Sequence, residues 1–471
     1  MELARTRKKP LSLLALVMIN VIAIDSLRNL PANAQTGYHI IFYYAVCALI
    51  FLLPCILITA QLASHYPKRG GVYIWVREAF GVKTAFLTIW LQWIYNVVWY
   101  PTILSFLAVN LAYFINPDLV HQKIYIISMV ISLFAIATIL GNHGMKTSGL
   151  ISICSAIIGT LIPMIALIAL GIITLFHQPN TLYQLPLQEF IPHNTSDLGF
   201  TLIVLFSLMG LEMSAVHAKE VKDPQRNYPR ALLYSSILIV LTLCLASLAI
   251  TIIVPTDQLG IVTGLDVALK TVLHQLHIDF VFPILLCMVL LGGFGSVSAW
   301  VIGPSKAMMV AAQDGCLPPL LGYCNQHQAP SGMLLLQLIL VILLTYCMIA
   351  FEPIQASYWL LADLTAQLAL LFYVLFFAAA IKLYSQLPND QRAFRIPGGK
   401  KGTLIAGSIG IITCIAGIIL GFIPPPNLLK TSMMYYELFL IGGLVLSTLA
   451  PILISQYQKN TGNKKPPSIE D

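Results

Sequence analysis

Charge is the scarcest thing in this sequence: Asp, Glu, Lys and Arg make up 10% of its 471 residues, against 58% hydrophobic ones. With a mean hydropathy of +0.84, this excludes a soluble globular domain, whose interior has no room to hide so much apolar surface. Short alternating segments, the mark of a transmembrane β-barrel, are missing. So are a His-x-x-Glu-His pair, a Gly-x-Ser-x-Gly elbow and a phosphate loop, which argues against an enzyme. Cysteines number nine, an odd count lying mostly inside apolar runs, and give no disulfide framework. Cys316, Cys324 and His327 share one loop, but three ligands without paired spacing make a poor zinc site. No metal or other cofactor is expected.

What the sequence does hold is a series of apolar runs. Twelve candidate spans, at roughly 11–37, 38–64, 80–114, 123–140, 148–176, 197–217, 228–254, 276–312, 332–351, 356–385, 402–423 and 434–457, predict an all-α polytopic membrane protein. Each must be helical, because lipid cannot satisfy backbone polar groups. The basic then apolar start reads as an uncleaved first helix rather than a signal peptide. The net charge of +7 is no nucleic-acid signal, because 22 of the 26 Lys and Arg residues fall on one side of the spans. By the positive-inside rule that side is cytoplasmic, which puts both termini there. The loops at about 177–197 and 255–276 are too short for a core of their own. The stretch from Lys459 is polar and reads as a disordered tail.

Two spans are interrupted by polar residues. Span 1 runs into Asp25-Ser26-Leu27-Arg28-Asn29-Leu30-Pro31, and span 6 into Ser207-Leu-Met-Gly210-Leu-Glu212. A charge at membrane depth costs about 2.5–3.5 kcal/mol even on the lenient scale, so such residues line a cavity or a pathway. Paired broken spans in two halves of a chain point to a transporter's binding site, commonly between inverted repeats. The expected division is a single transporter domain: a short N-terminus (1–10), a first repeat (11–176), a second (197–385), two further helices (402–457) and a tail (458–471).

Asp25, Ser26 and Arg28 supply donors and acceptors at the first break, and Pro31 removes an N–H where the second half-helix starts. Arg28 and the exposed backbone suit an anionic group such as a carboxylate; the alternative is an Asp25–Arg28 pair that neutralises itself. Gly210 lets the backbone of span 6 open beside Glu212. Burial favours the uncharged form of a carboxyl, which makes Glu212 a candidate proton or gating switch; the alternative is a structural hydrogen bond. His217, at the end of that span, reads as a helix cap. In span 8, Gly293, Ser296, Trp300 and Gly303 form one stripe, suited to close helix packing or to a pocket wall. Span 3 aligns Trp93, Asn96 and Tyr100, with Gln92 beside them. Span 10 carries Asp363 and Gln367 a turn apart and Tyr373 beyond, and Asp363 is either a pathway residue or a structural partner.

Several stretches resemble the amino acid–polyamine–organocation superfamily, and within it the bacterial glutamate:GABA antiporters. They are Gly70-Gly-Val-Tyr-Ile-Trp-Val76, Gly210-Leu-Glu-Met-Ser-Ala-Val-His217, Glu220-Val-Lys-Asp-Pro-Gln-Arg-Asn-Tyr-Pro229, Trp300-Val-Ile-Gly-Pro-Ser305 and Phe394-Arg-Ile-Pro-Gly-Gly-Lys400. The resemblance implies a LeuT-like 5+5 inverted repeat with helices 1 and 6 interrupted, and alternating access. It also implies that the breaks meet the substrate's amino and carboxylate groups while spans 3, 8 and 10 complete the pocket. Carried onto this sequence, it points to Asp25, Ser26, Arg28, Ser207, Gly210, Ser296, Trp300 and Tyr373 as substrate-binding, beside Glu212. Arg28 departs from a pocket tyrosine of those antiporters, and Ser296 from a pocket glutamate. An added cation and a lost anion favour an acidic or neutral substrate by Coulomb's law. The expected function is therefore secondary amino-acid transport, by antiport or proton coupling. Its rivals are a polyamine or organic-cation exchanger of the same fold and a membrane-embedded enzyme.

Overall fold

The computed structural model describes residues 11–66, 71–143, 153–177, 190–192, 198–221, 223–351, 354–386, 393–423 and 433–461. Every extended element among them is helical; Leu11 and Val221 form an isolated bridge. The helices are α1 (Leu13–Ile24), α2 (Asn29–Ala34), α3 (Gly37–His65), α4 (Val72–Phe80), α5 (Val82–Ile115), α6 (Lys123–Asn142), α7 (Ser155–His177) and α8 (Phe200–Ser207). They continue with α9 (Pro224–Ile253), α10 (Gly264–Gln275), α11 (Val281–Gln313), α12 (Ser331–Phe351), α13 (Ile354–Leu383), α14 (Gly399–Leu420) and α15 (Met433–Thr461). Among the described residues nine helices are long and apolar enough to cross a bilayer, and three apolar helices are shorter. Two of those three, Leu13–Ile24 and Phe200–Ala215, belong to the interrupted spans.

The expected all-α architecture with broken first and sixth spans is what the chain adopts, with some differences of detail. The second half of span 6 is a 3-10 stretch, Leu211–Glu220, not an α-helix. The loop expected at 255–276 contains the amphipathic helix α10, so α11 begins at Val281 and not at 276. A short helix, α4, precedes span 3. The last helix runs on to Thr461, into what reads from sequence as tail. The side chain of His217 lies outside the described residues, as do residues 1–10 and 462–471.

Long apolar helices leave packing to decide which sit inside. α5 and α13 form the centre: 78% and 72% of their most apolar stretches are buried, against 17% for α15. α5 packs on α11 and α13, and α13 on α14. Small residues bring α11 and α7 together. A Cβ placed on Gly292 would lie 2.1 Å from the carbonyl oxygen of Gly159, and one on Gly159 would lie 2.2 Å from the Gly292 nitrogen. The two backbones therefore touch, which only glycine permits. The span-8 stripe itself meets side chains: a Cβ on Gly293 would lie 2.4 Å from Leu107 Cδ2 and one on Gly303 2.6 Å from Met213 Cε, whereas the backbone contact is made by Gly292, outside the stripe.

Candidate functional site

The last α-helical bond of α1 runs from the Asp25 N–H to Val21 O at 2.7 Å, and the chain then leaves helical geometry. In a dry interior each freed backbone group needs a partner. The Ala23 carbonyl receives the Trp300 indole N–H at 2.8 Å. The Ala34 carbonyl, at the end of α2, accepts from Thr251 at 3.0 Å. Asn33 donates to the Tyr44 hydroxyl, which lies 3.0 Å from Ser207 Oγ, so α2, α3 and α8 are tied through one phenol.

Asp25 and Arg28 are 1% and 2% exposed. Thr242 donates to Asp25 Oδ2 at 2.8 Å, while Oδ1 has no partner. Arg28 donates from Nη1 to Thr102 at 2.8 Å and from Nη2 to Asn29 at 2.7 Å, and its Nε is unpartnered. Its guanidinium carbon is 5.4 Å from the ring centroids of both Phe206 and Tyr358. The self-neutralising Asp25–Arg28 pair is not formed: each is held by different side chains, and each keeps one polar atom free. A desolvated cation–π contact contributes about 2 kcal/mol or more and a hydrogen bond to a charged group about 1.5–3 kcal/mol. Aromatic faces and neutral oxygens thus hold this guanidinium without a bonded carboxylate.

The second break lies directly against the first. Gly210 has φ 124°, and a Cβ there would sit 3.0 Å from the Trp300 ring and 3.1 Å from Ile24 Cγ1. Conformation and close approach both demand glycine. The Gly210 N–H donates to the Tyr373 hydroxyl at 2.8 Å, and that hydroxyl donates in a short bond to Glu212 Oε2. Gln92 reaches Glu212 Oε1 at 3.4 Å. Side chains of α11 and α13 thereby cap the open ends of both broken spans.

Two small cavities flank Arg28. One, about 10 Å³, is lined by Asp25, Ser26, Arg28 and Ser296 together with Thr160 and the Gly292–Gly293 backbone. The other, also about 10 Å³, is lined by Arg28, Phe206, Tyr358 and Asp363 among others. Each holds about one water, so the site is shut around its polar groups in this conformation. Asp363 Oδ2 also takes a hydrogen bond from Tyr436 at 2.9 Å, so it is both a structural partner and a cavity wall.

The sequence-derived residues therefore fall into two adjoining sets. Asp25, Ser26, Arg28 and Ser296 share a cavity, with Asp363 across the second one. Ser207, Gly210, Trp300, Tyr373 and Glu212 form the hydrogen-bonded frame around the breaks. Sequence reading missed Thr102, Phe206, Thr242 and Tyr358. Thr102 follows Pro101, whose position inside α5 was a usable signal; the others look like ordinary residues of apolar helices. Among the described residues no three His, Cys, Asp or Glu side chains gather as a metal site, Cys316, Cys324 and His327 included.

A family model described as amino acid permease matches residues 10–445. The chain belongs to the amino acid permease family. The permease is 47% identical over 451 residues to an uncharacterized transporter of Legionella pneumophila, covering 95% of this chain and 97% of that one. It is 26% identical over 469 residues to a glutamate/gamma-aminobutyrate antiporter of Lactococcus lactis, covering 97% and 92%. A probable agmatine/putrescine antiporter from the same species is 22% identical over 460 residues, covering 95% of each chain. The resemblance drawn from motifs is thus correct at superfamily level, and the enzyme alternative falls, because the family and these relatives are transporters. The permease is a multi-pass membrane protein.

Proposed function

We propose that the permease is a secondary active amino-acid transporter of the cytoplasmic membrane, with both termini inside, carrying an acidic or neutral amino acid by antiport or proton-coupled uptake. The observation that carries this reading is Arg28: a guanidinium buried in a broken helix, lining both cavities, with no carboxylate bonded to it and one N–H unused. A buried cation in that condition gains most from an anionic ligand. Asp25 Oδ1, unpartnered on the same cavity, is placed to receive the substrate's ammonium group.

In the transport cycle the closed cavities must widen for an amino acid to enter, which requires the half-helices to part from α11 and α13. Alternating access follows if the first and second five-span repeats rock against each other around the breaks. Glu212 serves as the protonation switch: it is tied through Tyr373 to the Gly210 N–H, so its charge state bears on the break itself. Asp363 contributes a second carboxyl to the pathway, and Ser207, Ser296 and Trp300 shape the pocket. The likeness to an agmatine/putrescine antiporter, together with the free oxygen of Asp25, favours polyamine or organic-cation exchange as the second reading.

Uptake of a panel of labelled amino acids into proteoliposomes, with and without counter-substrate inside and with an imposed pH gradient, tests the proposal. Saturable uptake of an acidic or neutral amino acid is expected, and competition by diamines would favour the rival. Arg28→Ala is expected to abolish binding in a protein that still folds; wild-type affinity in that variant refutes the carboxylate role.

A further inference from the structure

The groups around Arg28 are not neutral bystanders. Two aromatic faces lie 5.4 Å from its guanidinium carbon, Thr102 and Asn29 offer oxygens to its edge, and Asp363 lines the same cavity. Aromatic faces attract cations through the ring quadrupole, and hydroxyl and amide oxygens accept from them. Stripped of the arginine side chain, these walls are a receptor for a planar cation. They come from separate elements: Thr102 from α5, Phe206 from α8, Tyr358 and Asp363 from α13. Arg28 itself is attached at the break ahead of α2.

We infer that Arg28 is a tethered cation occupying the permease's own cation subsite, and that this occupancy bars guanidinium and ammonium side chains from the pocket. One side chain thereby sets the charge class of the cargo. A cationic cargo meets a filled subsite and a like charge, whereas an acidic or neutral one meets the unused Nε. The inference deepens the proposed function and rests on its reading of these cavities as the substrate site.

The test measures ligand binding to purified protein, by thermal shift and calorimetry, with agmatine and methylguanidinium as probes. The wild type, Arg28→Ala and the double variant Arg28→Ala/Phe206→Ala are compared. Agmatine is expected to bind Arg28→Ala at least tenfold more tightly than wild type, and the gain is expected to vanish in the double variant. Equal binding to wild type and Arg28→Ala, or no binding of either probe to Arg28→Ala at millimolar concentration, overturns the inference. Should Arg28→Ala fail to fold, Arg28→Gln, which keeps more of the volume without the charge, replaces it under the same criteria. If neither variant folds, agmatine binding to wild type decides: its presence overturns the inference and its absence upholds it. A wild type that transports no amino acid sinks the transport reading alone, because these measurements need no transport.

Discussion

The contact between Gly292 and Gly159 allows a sharp test, because it is backbone against backbone and no side chain can turn aside. A methyl group on Gly292 would start 2.1 Å from the Gly159 oxygen and 2.5 Å from its carbonyl carbon. Restoring an ordinary contact of 3.4 Å requires α11 and α7 to separate by about 1.3 Å. A radial gap of about 0.5–1 Å already forfeits a quarter to a half of each dispersion well along an interface, and overpacking of this kind costs about 1–3 kcal/mol. Gly292→Ala is therefore expected to lower the melting temperature in detergent by several degrees, and Gly292→Val by more. Gly442→Ala, where a Cβ meets nothing within 4 Å, is the control and should melt with wild type. Because Gly292 also walls the cavity of Asp25 and Ser296, uptake should fall even where the protein remains folded. If Gly292→Ala melts and transports like Gly442→Ala, the helices do not touch as described and the argument fails.

Tyr373→Phe removes the hydroxyl that joins the Gly210 N–H to Glu212, leaving groups in a dry site short of a partner. A loss of about 1–3 kcal/mol and slower exchange are expected by calorimetry and counterflow; unchanged stability would show that the bridge contributes nothing. Asp266, on the loop helix α10, is fully buried with both oxygens unpartnered, and burial pushes its carboxyl up to about 8 against the pull of Lys270. The folded state keeps a proton that the unfolded chain releases near pH ~4, so stability should fall as pH rises through that interval to about 8. Asp266→Asn should flatten this slope in melts between pH ~5 and ~8; identical slopes would remove the assignment.

The architecture was legible because membrane burial leaves few exceptions to explain. A charge or proline inside an apolar run stands out, so Asp25, Arg28, Pro31, Gly210 and Glu212 marked both breaks. The walls of the site did not stand out. Phe206, Tyr358 and Thr102 are residue types that fill any apolar helix, and only their approach to one guanidinium gives them meaning. The 3-10 geometry of Leu211–Glu220 was hidden because its composition suits an α-helix equally well. α10 was hidden because a twelve-residue amphipathic segment between spans reads as loop when apolar length is the signal. Asp266 went unnoticed for the same reason: a carboxylate in a loop is unremarkable until burial is known.

α3 and α7 each contain a stretch of wider π geometry, at Ala48–Leu52 and Ser155–Leu161. Such a turn carries one residue more than its neighbours, and in α3 the Ile50 carbonyl within it is held by Thr413 at 3.0 Å. That surplus residue resets the register of each helix, so the side chains before and after it face different neighbours from those that one unbroken α-helix would present.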